Sequence, residues 1–165
     1  RNFLTKLWIL DPVPGWAPAS NEFTRLTVSP KHQLADPALA ARLLQLSAST
    51  LTSSQGAHML GPLFESLVTL SVRVAAQAAE ATVSHLRTKK GDHEVDLIVQ
   101  GSEGEVLGIE VKLAPVITDT DVRHLLWLRD KMPDSVTNLV VITTGTQVYR
   151  RTDGVLVLPL SMLAE

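Results

Sequence analysis

Two short apolar segments joined by a tight polar turn constrain the fold of this chain more than any other feature. Residues 94–100 read EVDLIVQ and residues 106–113 read VLGIEVKL. The five residues between them, GSEGE, contain two glycines, as turns that join hairpin strands often do. The pattern predicts an antiparallel β-hairpin, and a turn centred on Glu103 places Asp96 opposite Glu110.

The alternation of side chains supports this register. The odd positions form a continuous apolar face: Val95, Leu97, Val99, Leu107, Ile109, Val111 and Leu113. The even positions carry most of the polar residues: Glu94, Asp96, Gln100, Glu110 and Lys112, interrupted by Ile98, Val106 and Gly108. Because successive strand residues point to opposite faces, Asp96, Glu110 and Lys112 are expected on one side of the hairpin. A slip by one residue would move the apolar set to the other face.

Two carboxylates that face each other across a ladder repel, so this pairing needs a physical cause. One cause is a divalent metal: Asp96, Glu110 and the backbone carbonyl of Val111 would hold Mg²⁺ or Mn²⁺, which prefer oxygen ligands. The ion would polarise a phosphodiester and lower the pKa of a bound water. Lys112 would orient that water or stabilise the developing charge. Glu65 would add a ligand or a base if its helix packs over the open end of the hairpin.

The alternative is a solvated polar face on an amphipathic sheet, in which the same charged residues have no chemical role.

Length and composition narrow the class of protein. The chain has 165 residues, of which 45% are hydrophobic, so it fits one globular domain with a small appendage. It contains no cysteine, which excludes disulfides and thiolate metal sites. A net charge of −2 argues against a generally basic nucleic-acid binder but permits a local basic groove. The sequence predicts no signal peptide and no apolar run long enough to span a bilayer, so a cytoplasmic soluble protein without membrane contact is expected.

The first 57 residues predict an appendage and a linker. Residues 7–10, 23–28 and 31–35 read as short strands, which gives a small β-hairpin appendage over residues 1–35. Asp36 and Pro37 start a helix well, as N-cap and first helical residue, and residues 36–57 form this helix and a Ser/Thr-rich linker. The start at Arg1 without Met is typical of the C-terminal piece of a longer protein, with a trimmed natural N-terminus as the alternative.

Residues 58–165 predict an α-β-β-β-α-β order with a mixed sheet. A helix over 62–81 and a second over 118–131 flank strands at 83–87, 94–100 and 106–113. A near-continuous apolar strand at 136–143 is typical of burial on both faces. Short strands at 148–150 and 155–158 and a helix at 159–164 complete the chain. The first helix carries a stripe at helical spacing that is expected to face the core: Leu63, Phe64, Leu67, Val68, Ser71, Val74, Ala75 and Ala78.

The motif D-x₁₃-E-V-K, made by Asp96, Glu110, Val111 and Lys112 after a helix that bears Glu65, resembles the PD-(D/E)XK nuclease superfamily. The resemblance implies an α/β, restriction-endonuclease-like α-β-β-β-α-β core. It also implies catalytic roles for Glu65, Asp96, Glu110 and Lys112. The metal ligands would be Asp96, Glu110 and the Val111 carbonyl, with Glu65 as a further one.

Several segments also resemble a C-terminal domain of bacterial and archaeal AAA-type P-loop ATPases, which is labelled a domain of unknown function. These segments are SPK at 29–31 with Asp36, GPLFE at 61–65, RTK at 87–89 with Gly91, EVD at 94–96, IEVK at 109–112 and PLS at 159–161. In that family an ATPase is followed by a winged helix and a nuclease-like domain. Residues 1–35 would then be a truncated winged helix, and residues 58–165 the nuclease-like domain.

This resemblance implies the partners. The chain's own N-terminal ATPase domain would be one, and DNA another; an oligomer is compatible with both. ATP would bind only through the missing ATPase domain, because this chain has no G-x-x-x-x-G-K-[ST] loop. The implied activity is Mg²⁺-dependent DNA hydrolysis. Two alternatives stay open: a catalytically inactive module that binds nucleic acid or protein, and a regulatory or oligomerisation domain of the ATPase.

A basic cluster precedes the hairpin. Arg87, Lys89 and Lys90 are candidate phosphate contacts, with a solvated turn as the alternative. His124 lies on the second predicted helix, from which its ring could approach the site. His85 and His93 are expected in structural or surface roles.

Overall fold

A six-stranded mixed sheet forms the centre of the molecule. The computed structural model describes residues 2–17, 29–88 and 91–163. The strands are β1 (Thr82–Arg87), β2 (Glu94–Gln100), β3 (Val106–Lys112), β4 (Val136–Thr143), β5 (Tyr149–Arg150) and β6 (Leu156–Pro159). They lie in the order β1-β2-β3-β4-β6-β5. The first three are antiparallel neighbours, β4 is parallel to both β3 and β6, and β5 is antiparallel to β6.

Helices cover both faces of this sheet. The α-helices are α1 (Asn2–Lys6), α2 (Pro37–Leu43), α3 (Ala48–Leu51), α4 (Leu60–Ala78) and α5 (Asp119–Lys131). Two short 3₁₀ helices cover Ala57–Met59 and Leu160–Leu163. One core cluster includes Val68 and Val72 of α4, and the other includes Val122 and Leu125 of α5. From α4 to β4 the chain therefore runs α-β-β-β-α-β in three layers, and the predicted mixed α/β class is confirmed.

The hairpin register is the predicted one. Leu97 pairs with Ile109 and Gln100 with Val106, so paired residue numbers sum to 206 around the Glu103 turn. Gly104 in this turn has φ +89°, a conformation that favours glycine. The ladder pairs end at Leu97 and Ile109, one residue before Asp96 and Glu110.

Both faces of the hairpin are buried, which corrects the expectation of one apolar and one polar face. Leu97 and Ile109 pack on the α4 side, as the pattern predicts. Ile98 and Val106, which interrupt the polar face in the sequence, are fully buried on the α5 side. The charged residues of these two strands lie at the open end of the hairpin.

A β-bulge in β2 breaks the alternation next to Asp96. Ser84 of β1 pairs with Ile98, and Leu86 pairs with Val95, so two steps along β1 correspond to three along β2. The extra residue explains why Val95 packs in the α5-side cluster although Leu97 packs in the α4-side cluster. Asp96 and Leu97 consequently line the same cavity beside α4.

The core-facing stripe of α4 differs from the predicted one. Its buried residues are Val68, Thr69, Val72 and Ala76. Leu67 and Val74, both predicted to face the core, are 41% and 63% exposed. Val68 is buried and Phe64 packs against the core, as predicted. The sequence carries apolar residues on more than one face of this helix, so the periodicity also selected exposed positions.

The length and composition of α4 test the expectation that the chain has no membrane-spanning segment. The segment Ala57–Ala78 is long and apolar enough to cross a bilayer by length and composition, with a hydropathy of 1.3. The expectation that no apolar run is long enough to span a bilayer is therefore wrong for this helix. Val68 and Val72 pack against the sheet, and 28% of the apolar window is buried. Core helices of soluble proteins can meet the same criterion.

The N-terminal segment is not the predicted strand at residues 7–10. Helix α1 ends at Lys6, a turn follows, and Leu10 makes only an isolated bridge to Leu34. The predicted strand at 23–28 lies outside the described residues. Residues 9–13 instead run beside the segment that carries Lys31, and Val13 and Trp16 are buried in the two core clusters. The winged-helix interpretation and the three-part division stay predictions.

The start of α2 is as predicted. The Asp36 side chain accepts a hydrogen bond from the Ala38 N–H at 2.7 Å, and Pro37 is the first helical residue. The helix ends at Leu43, and Gln45 follows with φ 56°.

Gly108 allows α5 to approach the sheet closely, and this generates a stability prediction. A Cβ at Gly108 would lie 3.1–3.2 Å from methyl carbons of Leu125, Leu128 and Leu139. We expect Gly108→Val to lower the free energy of unfolding by about 1–3 kcal/mol through overpacking, as measured by urea denaturation.

The matched control is Gly61→Val, because a Cβ there would meet only Leu113, at 4.0 Å. This change should stay within about 0.5 kcal/mol of the wild type. Equal losses at the two positions would contradict the close packing of α5 on β3.

Candidate functional site

Three carboxylates surround one lysine at the open end of the hairpin. The Lys31 Nζ lies 3.1 Å from Glu65 Oε1, 3.1 Å from Glu94 Oε1 and 3.5 Å from Asp96 Oδ1. An ammonium group has three N–H donors, so each carboxylate can accept one. The lysine is the cation at the centre of the predicted site.

Separate elements bring these groups together. Glu65 projects from α4, which packs across the sheet, and Glu94 and Asp96 come from the start of β2. Lys31 comes from the segment that pairs with residue Val13 through two backbone hydrogen bonds. Three of these residues, Lys31, Glu65 and Asp96, line a cavity of about 280 Å³.

Asp96 joins this cluster to the hairpin. Its Oδ1 faces Lys31, while its Oδ2 accepts a hydrogen bond from the Val111 backbone N–H at 2.9 Å. The side chain thus continues the ladder at the point where the backbone pairing stops. The role predicted for the Val111 carbonyl stays a prediction.

Glu110 and Lys112 form the second part of the site. The Lys112 Nζ donates to Glu110 Oε2 at 3.1 Å, and the Glu110 side chain is only 5% exposed. Burial and the nearby Asp96 charge raise the pKa of Glu110 to about 8, although Lys112 opposes this. Glu110 is therefore mostly protonated at neutral pH.

The pKa of Lys31 is also raised, which in a lysine favours the charged form. Burial alone would lower the pKa of Lys31, but the negative charges of Asp96 and Glu65 outweigh burial and raise it above its ordinary value. Lys31 is therefore fully charged at neutral pH.

The predicted metal does not fit this arrangement. Carboxylate oxygens are suitable ligands for Mg²⁺, but they would have to approach the ion to about 2.0–2.1 Å. Here the Lys31 ammonium lies among them at 3.1–3.5 Å. Across residues 2–17, 29–88 and 91–163, no group of three or more His, Asp or Glu side chains is arranged to hold a metal ion. We therefore derive no chemical step through a metal.

The basic cluster is described in part. Arg87 is 61% exposed, and its Nε lies 3.9 Å from Glu94 Oε2. Lys89 and Lys90 lie outside the described residues. Arg87 is thus an exposed cation at the edge of the site, and its predicted contact with phosphate stays a prediction.

His124 approaches the site and forms a directed hydrogen-bond chain. The Arg123 Nε–H donates to His124 Nε2 at 3.0 Å, so the neutral His124 ring carries its proton on Nδ1. That Nδ1 lies 3.2 Å from His93 Nδ1, and the His93 ring stacks on Trp127 with centroids 4.0 Å apart. Burial and the neighbouring Arg123 charge lower the pKa of His124, which favours this neutral form.

The structure brings the four predicted residues to one end of the sheet but adds two others. Asp96 lies between the other three predicted residues, Glu65, Glu110 and Lys112. The two added residues are Lys31 and Glu94. The alternation pattern places Glu94 on the polar face without giving it a role. Lys31 lies in the SPK segment that carries part of the family resemblance, which was the one sequence signal for it.

Most of the chain matches one protein family. Residues 60–163 match a family described as Domain of unknown function (DUF4143). No curated protein and no solved structure matches the chain.

The raised pKa of Glu110 predicts an unusual dependence of stability on pH. Because the pKa rises from 4.5 to about 8 on folding, the folded state binds more protons than the unfolded chain between these values. The free energy of unfolding should therefore fall as pH rises through this window. We expect Glu110→Gln, which is permanently neutral, to gain stability relative to the wild type as pH increases from 5 towards ~8. Urea denaturation at each pH measures the difference.

Glu103→Gln in the exposed hairpin turn is the control, and its stability should remain parallel to that of the wild type. A constant difference between Glu110→Gln and the wild type across the window would show that Glu110 is ionised in the folded protein.

Proposed function

The chain belongs to the DUF4143 family, whose description assigns no function, and we propose that it is a nuclease-fold module that binds DNA without cutting it. We propose further that it is the C-terminal module of an AAA-type ATPase. The observation that carries the first proposal is the Lys31 ammonium among Glu65, Glu94 and Asp96.

Lys31 can perform one of the tasks of a catalytic metal. Its positive charge neutralises carboxylates that would otherwise repel a phosphate group. An ammonium group does not coordinate and acidify water or act as a Lewis acid, which are the tasks that hydrolysis requires. The arrangement therefore favours binding over cleavage.

The charge balance of the site supports approach of a phosphate backbone. Three carboxylates belong to this cluster (Glu65, Glu94 and Asp96), and three basic side chains lie beside them (Lys31, Arg87 and Lys112). Glu110 adds little negative charge at neutral pH, since its pKa is about 8. The site is thus close to neutral, with Arg87 exposed at its edge.

The element order supports the comparison with nucleases. The α4-β1-β2-β3-α5-β4 order and the carboxylates at the open end of the second and third strands agree with the PD-(D/E)XK pattern. We propose the restriction-endonuclease-like topology and the ATPase partnership on this resemblance.

Metal-dependent hydrolysis of DNA is the second candidate. It is favoured by the grouping of Asp96, Glu110 and Lys112, which retains the motif of the active nucleases. Cleavage would require a state in which Lys31 does not fill the cluster.

A DNA-binding assay tests the proposal. Fluorescence anisotropy with a labelled duplex should show binding in EDTA, and Arg87→Gln should reduce the slope of log affinity against log salt by about 1. Arg150→Gln, an exposed arginine on β5 at the opposite edge of the sheet, is the matched control and should bind as the wild type does.

Two results would overturn the proposal. Absence of DNA binding would favour a protein-binding or regulatory role. Cleavage of the duplex in Mg²⁺ or Mn²⁺ that disappears in Glu110→Ala/Lys112→Ala would favour the nuclease.

A further inference from the structure

Three side chains beside the Lys31 cluster form a hydrogen-bond chain that the proposed function does not use. Arg123 and His124 lie in α5, and His93 immediately precedes β2. The Arg123 Nε–H donates to His124 Nε2 at 3.0 Å, so His124 carries its proton on Nδ1, which lies 3.2 Å from His93 Nδ1. His124 therefore donates and His93 accepts, and the chain runs in one direction from Arg123 to His93.

This chain requires both histidines to be neutral. A protonated imidazole carries a hydrogen on each ring nitrogen and accepts no hydrogen bond. Protonation of His124 would set its Nε2–H against the Arg123 Nε–H, and protonation of His93 would set two Nδ1–H groups against each other. Because histidine side chains commonly change charge between about pH 5 and 8, the chain is sensitive to pH in that range.

The same side chains form a basic surface with no acidic partner of its own. Arg123 is exposed, and its two terminal amino groups have no hydrogen-bond partner in the described part of the chain. Glu94 acts on His124, but its carboxylate already pairs with Lys31 and Arg87. Arg123 thus keeps donors free for an anion, and a guanidinium group is well suited to phosphate.

The pKa of His124 reports a positive potential at this surface. Burial lowers the pKa of His124 most, and the charges of Arg123, His93 and Lys112 lower it further, while Glu94 opposes them. A negative charge placed beside a histidine has the reverse effect and favours its protonated form. An anion bound here would therefore draw a proton from solvent onto the histidine pair.

This surface is continuous with Arg87, the phosphate contact of the proposed function. Thr88 directly follows Arg87, and its N–H donates to the His93 carbonyl at 3.0 Å. The His93 N–H in turn donates to Thr88 Oγ1 at 3.1 Å, so His93 is fixed beside the end of β1. Arg87, His93, His124 and Arg123 consequently follow one another from β1 to α5.

We propose that His93, Arg123 and His124 form a second phosphate-binding surface for DNA, in which a backbone phosphate and one proton on the histidine pair are taken up together. This inference rests on the proposed function and extends it, because it names a further contact with the DNA backbone and makes DNA affinity depend on pH.

Fluorescence anisotropy with a labelled duplex, in EDTA at constant salt and at about pH 5.5 and about pH 7.5, tests the coupling. Uptake of one proton makes affinity rise as pH falls, by up to about tenfold per pH unit. We expect the ratio of affinity at the lower pH to affinity at the higher pH to be about tenfold larger in the wild type than in His124→Gln. His58→Gln, an exposed histidine on the 3₁₀ helix Ala57–Met59, is the matched control and should keep the wild-type ratio.

Arg123→Gln tests the phosphate contact itself. It should reduce the slope of log affinity against log salt by about 1, as the loss of one phosphate contact does. Because Arg123 is exposed, this variant should fold as the wild type does, and urea denaturation checks the folding of every variant. If His124→Gln does not fold, NMR of the wild-type imidazole rings at about pH 7 replaces it. The His93 and His124 signals should then shift towards the protonated form when duplex is added.

The outcomes separate this inference from the proposed function. DNA binding with equal pH ratios in wild type and His124→Gln, with an unchanged salt slope in Arg123→Gln, or with unchanged imidazole signals overturns the second surface and leaves the proposed function in place. If the wild type binds no DNA, the proposed function fails, and inorganic pyrophosphate replaces the duplex in the NMR titration. Shifts of the His93 and His124 signals then support the phosphate surface, and unchanged signals overturn it as well.

Discussion

Negative charge gathered at one end of a sheet is the constraint that organises this molecule. Packing of α4 and α5 on the two faces of the β2–β3 hairpin forces Glu65, Glu94, Asp96 and Glu110 close together. Such a group is stable only if its charge is reduced. The protein uses two means: a lysine that enters from a distant segment, and burial that keeps Glu110 protonated. Residues 29–35 pair with residues 9–13, and this pairing carries Lys31 to the carboxylates.

The pattern of apolar and polar residues along the chain was sufficient to predict the hairpin. It was not sufficient to predict which residues surround the open end of the hairpin. The alternation of residues and the Gly-bracketed turn predicted the register, because a slip would have exposed the apolar side chains. The pattern could not predict the bulge in β2, since an extra residue depends on pairing with β1. It also could not predict Lys31, which lies 34 residues from Glu65 and 65 from Asp96. The buried face of α4 was predicted only in part, through Phe64 and Val68, because apolar residues occur on more than one face of that helix.

Residues outside the matched domain contribute to the site inside it. The residues of D-x₁₃-E-V-K are together in space, and Lys112 contacts Glu110. The family match extends over residues 60–163 and does not include Lys31. Lys31, which lies outside the matched domain, thus forms ion pairs with Glu65 and Asp96 inside it. An account of the site therefore needs residues from both parts of the chain.

The position of Asp96 has a consequence for protons. One of its oxygens faces Lys31, and its negative charge raises the pKa of Glu110 in the other part of the site. Asp96 thus links the ion pairs on the α4 side of the sheet to the protonation of Glu110 on the α5 side.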